Sequence, residues 1–169
     1  MPLNLLKVYN SLLELAALTE AQRIKSLQGV FRRDIEANTN FKFRTKRIKP
    51  TTADGENSME RLFRHLTTCI TDKATQHREF EMARSMRLHW IRHHVEERKR
   101  DNMYVFSVDE PRCGIRTYIY DKDENYVIVL EPLRNGTEYY LLTAYYLEGK
   151  DATRDKMMRK YKRRLPIIA

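Results

Sequence analysis

The chain has only two cysteines, Cys69 and Cys113, and neither lies in a Cys-x-x-Cys pair or a Cys/His zinc spacing. Neither a disulfide framework nor a structural metal site is indicated. Five glycines, five prolines and no low-complexity tract in 169 residues exclude fibrous and disordered classes. Hydrophobic runs are short. The N-terminal leucines are interrupted by Lys7 and Glu14, and no small-residue cleavage site follows. The expectation is no signal peptide, no transmembrane span and a cytoplasmic protein. Phosphate-loop, Gly-x-Ser-x-Gly, His-Glu-x-x-His and Rossmann glycine patterns are all missing. Acidic residues are the minority, 23 against 32 Lys and Arg, giving a formal charge of +9. That balance favours a polyanionic partner, nucleic acid before an anionic membrane.

What is present suits one α+β domain, since 41% of residues are hydrophobic. Leu6, Tyr9, Leu13 and Ala16 recur at helical spacing. Thr19-x-x-Gln22 matches a capping box, which starts a second helix at Glu20 with Ile24, Leu27, Phe31 and Ile35 as its stripe. Together they predict an N-terminal helical hairpin, either packed on the core or serving as a dimer face. Phe41 to Ile48 alternates weakly with four cations and reads as an edge strand or an extended basic arm. Pro50 to Asn57 is the best internal boundary. It separates a hairpin and arm (residues 1–50) from a core (51–169), in one compact unit overall. Ser58 to Ile70 reads as helix or as a helix–strand piece, and Gln76 to Arg100 as a long helix with a break available near Leu88–His89.

From Met103 onward four β-rich segments are joined by short turns, predicting a four-stranded antiparallel meander. A basic helix follows, with Met157, Met158, Tyr161 and Leu165 as its stripe. Alternate strand residues share a face. Arg116, Tyr118 and Tyr120 then line one side of their strand, and Tyr139, Thr143 and Tyr145 one side of another. A guanidinium, phenols and a hydroxyl on one face suit a phosphodiester. Metal-free RNA cleavage needs a base for the 2′-OH, donors for the phosphorane and an acid for the leaving oxygen. His65, beside Arg64 and leading into a bend, is the best proton carrier. Arg84 and Arg87, at i and i+3, share a helix face and suit a phosphate. Lys160, Lys162 and Arg163 belong to a tail with seven cations and one Asp between Arg154 and Arg164, suited to flanking phosphates. No cofactor is implied, and the scattered carboxylates disfavour a Mg²⁺ nuclease.

The runs Arg84-Ser-Met-Arg87-Leu-His-Trp90-Ile-Arg92, Arg116-Thr-Tyr-Ile-Tyr120, Tyr126-Val-Ile-Val-Leu-Glu131 and Tyr140-Leu-Leu-Thr-Ala-Tyr145 resemble the barnase–EndoU–colicin–RelE-like superfamily of phages and mobile elements. The resemblance covers about residues 59 to 163. It implies a metal-independent, toxin-like RNA endonuclease that leaves a 2′,3′-cyclic phosphate. It also implies a possible cognate inhibitor or immunity protein, and a monomer or a homodimer through the N-terminal helices. The site residues it carries over are His65, Arg84, Arg87, Arg116, Tyr118, Thr143 and Tyr145. A catalytically silent RNA- or protein-binding module, or a phage assembly protein, is the alternative expectation.

Overall fold

The computed structural model describes residues 2–150 and 155–169. Helix α1 (Glu20–Phe31) starts where the capping box places it: Thr19 Oγ1 accepts from the Gln22 N–H, and the Gln22 side chain accepts from the Thr19 N–H. It runs on as a π-turn over Arg32–Glu36. The expected helical hairpin does not form, because its first arm is only a 3-10 turn, Pro2–Leu6, followed by an irregular strap. The reason is local. Asn4 holds the strap by bonds to the Glu14 backbone on both sides and to Ser26 Oγ. The buried residues Leu13 and Leu15 alternate, as in extended chain, instead of following a helical period.

Residues 42–50 form two short strands, β1 (Lys42–Phe43) and β2 (Lys46–Pro50). The ambiguous segment after Asn57 resolves into α2 (Ser58–Thr67), capped by Asn57 Oδ1, and β3 (Thr68–Asp72). The long helix expected over Gln76–Arg100 is replaced by β4 (His77–Phe80), α3 (Met82–Ser85) and α4 (Trp90–Val95). Pairing with β3 claims its first turn, and the Glu81 N–H and Ser85 hydroxyl both donate to the Thr67 carbonyl. Four longer strands follow: β5 (Met103–Glu110), β6 (Gly114–Asp121), β7 (Tyr126–Pro132) and β8 (Glu138–Tyr146). The last helix is α5 (Lys156–Lys162).

Strands β5 to β8 make the expected antiparallel meander, but they are not the whole sheet. Its order is β1-β2-β8-β7-β6-β5, with β2 parallel to β8, and β3–β4 form a separate ribbon. A six-stranded mixed sheet therefore replaces the four-stranded antiparallel one. The basic arm joins it because Phe41, Phe43 and Ile48 are buried against the first face while the cations between them remain outside.

One face carries the main core, in which Leu27, Val30, Phe31, Leu62, Leu66 and Trp90 meet Ile119, Ile128 and Leu141. Residues before and after Pro50 thus share one core. The opposite face is covered by α5, whose Met157 packs with Phe106, Tyr118, Tyr120 and Val129.

At one end of the first face lies a buried polar knot. His94 Nδ1 faces the Trp90 carbonyl at 2.7 Å and Nε2 faces Asp121 Oδ2 at 2.8 Å. Tyr9 donates to the same carboxylate at 2.5 Å, and Lys99 lies 3.3 Å from its other oxygen. Burial alone would raise the Asp121 pKa, but the hydrogen bonds from His94 and Tyr9 and the nearby positive charges outweigh it and hold it at about 2. The stability this carboxylate supplies is therefore full above its ordinary value of 3.8 and lost as pH falls toward 2. Replacing His94 by Ala removes one of the three groups that hold the buried carboxylate and is expected to cost about 3 kcal/mol in denaturant unfolding at neutral pH, the electrostatic part of the loss shrinking as pH falls from about 4 toward 2. A cost under about 1 kcal/mol, the range of exposed pairs, would show the knot to be dispensable.

Candidate nucleic-acid interface at the open edge of strand β8

The ladder between β2 and β8 stops at the pair Pro50–Leu141. Proline has no N–H with which to extend it. Beyond Leu141, β8 has no strand partner on this side among the described residues. Here β8 also slips register against β7: Leu130 pairs with Leu141, but the next residue back, Val129, pairs with Thr143. Leu142 is the extra residue of a bulge, and a bulge reverses the alternation that follows.

That reversal decides which candidates share a face. Tyr139 lies with the main core, is 2% exposed, and donates to the Ala169 carbonyl at 2.5 Å. Thr143 and Tyr145 lie on the other face, opposite Val129 and Val127, and in register through them with Tyr118 and Tyr120. Tyr139 is thus removed from the set, because strict alternation fails at Leu142. Arg116 pairs with Val108 and shares the face of Tyr118.

The candidates on that face divide into two clusters. In the first, Arg116 Nη1 is 3.1 Å from Glu131, while Tyr118 donates to Glu110 at 2.7 Å. Glu110 also holds Lys160 and, at 3.1 Å, Arg163. Burial would raise the pKa of Glu110, but the bonds from Lys160, Tyr118 and Arg163 hold it at about 2. Burial, with the Glu110 bond, pushes the Tyr118 phenol up. Tyr118 and Tyr120 are core residues of this face, and Lys162 points to solvent from α5. This cluster closes on itself: four of its cations and phenols are taken by two carboxylates.

The second cluster occupies the open edge, against which α2 and α3 pack. Arg84 donates from Nη1 to Thr143 Oγ1 at 3.1 Å and to the His65 carbonyl at 2.8 Å. Its Nε lies 2.8 Å from Glu81, close enough for an ion pair but not aligned as a hydrogen bond, and its guanidinium lies 6.0 Å from the Tyr145 ring. Arg87 stacks on Tyr146 at 3.9 Å and donates to the Ala83 carbonyl at 2.6 Å. Among the described residues no carboxylate pairs with it, and its buried Nε has no acceptor. The structure thus brings the His65 carbonyl, Arg84, Thr143 and the Tyr145 ring together around one stretch of β8, while Arg87 sits over Tyr146 and Trp90 on the main-core face of the same strand.

Sequence reasoning missed three members of the surroundings. Arg61 and Arg64, at i and i+3 on α2, share Glu56 at 2.8 and 3.2 Å. Arg78 on β4 donates to Thr68 Oγ1 at 2.8 Å. The helical spacing of Arg61 and Arg64 was visible, whereas Arg78 enters only through the β3–β4 pairing. Burial lowers the Arg78 pKa, and repulsion from Arg84, Arg64 and Arg61 lowers it further. Burial also pulls the His65 imidazole down to about 4, reinforced by Arg78, Arg61 and Arg64. His65 is therefore uncharged at neutral pH, able to accept a proton but not to donate one as an imidazolium. Burial and the Glu81 carboxylate push the neighbouring Cys69 thiol up, away from the reactive thiolate.

Among the described residues no three His, Cys, Asp or Glu side chains gather to hold a metal ion, and no helix is long and apolar enough to cross a membrane. Comparison of the chain with protein-family models, with curated proteins and with solved structures found no match.

The arginine field makes a direct prediction. Followed by proton NMR, His65 should titrate near pH 4, and Arg78→Gln should move its midpoint upward by removing the positive charge that acts on it most strongly. A wild-type midpoint at the ordinary value of 6.5 would mean that the imidazole is neither buried nor surrounded by charge as described.

Proposed function

We propose that the open edge of β8 is a phosphodiester site and that the protein is a metal-independent RNA endonuclease. The observation that carries the reading is the crowding of Arg61, Arg64, Arg78 and Arg84 about His65, with Arg84 Nη1 on the Thr143 hydroxyl, flanked by Arg87, which has no carboxylate partner among the described residues. Half-buried guanidinium groups that repel one another, as Arg78 and Arg84 do, attract a phosphate strongly. In this scheme uncharged His65 takes the proton of the ribose 2′-OH. The 2′-oxygen attacks phosphorus, and the 5′-oxygen leaves, giving a 2′,3′-cyclic phosphate and a 5′-hydroxyl. Arg84 and Arg87 stabilise the charge that builds on the phosphorane, and Thr143 fixes Arg84. The Tyr145 phenol, on the face of β8 that carries Thr143, is assigned as the acid for the leaving oxygen. Arg116, engaged by Glu131, stands back from this role, and the exposed cations of α5 and β1–β2 hold flanking phosphates.

A second reading is an RNA-binding module without catalysis. It is favoured by the low pKa of His65, about 4, which makes it a weak base, and by the structural bonds that occupy Arg84. Incubation of the purified protein with RNA in EDTA separates the two. Cleavage to cyclic-phosphate ends is expected, with His65→Ala slowing it by about 10²-fold or more and weakening binding much less. Arg87→Gln should lower both binding and rate, and the loss of its stack on Tyr146 should lower thermal melting slightly without unfolding the protein. A gel shift without cleavage would replace the nuclease reading by the binding module, and cleavage that EDTA abolishes and Mg²⁺ restores would overturn the mechanism.

A further inference from the structure

Away from the β8 edge, the N-terminal strap, the π-turn after α1 and α4 border an open cleft of about 230 Å³. It is smaller than the roughly 300 Å³ at which sites for drug-sized ligands begin, which points to a small occupant. Four cations line it: Lys7, Arg33, Arg92 and Arg98. Only two carboxylates do, Asp34 and Glu96, so with neutral histidines the lining carries an excess of two positive charges.

The carboxylates serve chiefly to fix the arginines. Asp34, 4% exposed, takes the Arg33 Nε at 2.7 Å and the Arg33 Nη2 at 3.1 Å. Glu96 takes the Nε of both Arg92 and Arg98 at 3.0 Å. Among the described residues, the Nη groups of Arg98 and the Nζ of Lys7 make no hydrogen bond, Lys7 having only a 3.6 Å ion pair with Glu14. His93 lines the pocket stacked on Tyr9 at 4.5 Å. His89, also in the lining and 5% exposed, has no hydrogen-bond partner at either ring nitrogen. The carbonyls of Ser11 and Val8 lie near enough to favour its protonated form but are not aligned as acceptors, and burial prevails, drawing its pKa down to about 4. A buried polar group without a partner costs stability, which a ligand offering one would recover.

We propose that this pocket binds a phosphate dianion, either free inorganic phosphate or the terminal phosphomonoester of a nucleic acid. The positive excess of the lining, offset only in part by Glu14 beside Lys7, suits an anion of this charge. Arg92, Arg98 and Lys7 supply donors at the mouth, and the unpartnered His89 ring supplies one within. The site is separate from the β8 edge and does not rest on the nuclease reading.

Titrating the full-length protein with inorganic phosphate, by calorimetry and by NMR of the histidine ring protons, tests it. One saturable site is expected, with shifts at His89 and His93. Arg98→Gln, an exposed substitution that leaves Asp34 paired, should raise the phosphate Kd about tenfold, the scale of one lost charge-assisted bond. Arg92→Gln should act in the same direction. A 5′-phosphorylated dinucleotide that binds more tightly than inorganic phosphate, while its 5′-hydroxyl counterpart does not bind, assigns the pocket to a nucleic-acid end. Equal or weaker binding of the phosphorylated dinucleotide assigns it to free phosphate. The absence of saturable binding, an unchanged Kd in both variants, or shifts confined to His65 would overturn the site.

Discussion

The arrangement at the site depends on one missing hydrogen-bond donor. Strand β2 enters the sheet parallel to β8 but ends at Pro50, opposite Leu141. Had the ladder continued, the outer edge of β8 would be covered by strand, and α3 would have no place against it. With the ladder stopped, Thr143 is reached from the side by Arg84 while the strand remains anchored to β7 on its other side. The bulge at Leu142 completes the effect, since it turns Thr143 and Tyr145 to the face opposite Tyr139.

Charge is distributed unevenly over the molecule for the same reason. On the covered part of the second face three of the four candidate cations have met a carboxylate, Arg116 with Glu131, Lys160 and Arg163 with Glu110, while Lys162 points to solvent. These groups order α5 against the sheet. Around the open edge the arginines outnumber the acids. Arg61 and Arg64 share one glutamate, and Arg87 has none among the described residues. Such crowding opposes folding slightly and is relieved when an anion binds, which is why it marks a ligand site more than a structural one.

Much of this was legible in the sequence. The capping box at Thr19, the meander from Met103 to Tyr146 and the helical stripe through Met157 and Tyr161 are local signals, and local signals were enough for them. Arg84, Arg87, Thr143 and Tyr145 were singled out from helix and strand spacing, and His65 from its place before a bend. Three things were not legible. The first arm of the hairpin had a helical pattern, but Asn4 and the burial of Leu13 and Leu15 impose an extended strap. The joining of β2 to β8 is a contact between distant segments that alternation in Phe41–Ile48 could suggest only as an edge. The bulge at Leu142 leaves no mark in the residues around it, so Tyr139 was grouped with Thr143 when the backbone places them on opposite faces.

The central claim is that a nucleic acid meets the protein at the open edge of β8, and it is most directly tested by NMR titration of labelled protein with a short RNA carrying a 2′-deoxy sugar at the scissile position, so that it binds without being cut. The account predicts the largest shifts at the backbone amides of Leu142 to Tyr146 and at the guanidinium groups of Arg84 and Arg87, with smaller ones along α5 and β1–β2. Shifts confined to α5 and the basic strands, with Thr143 and Arg87 unmoved, would contradict it.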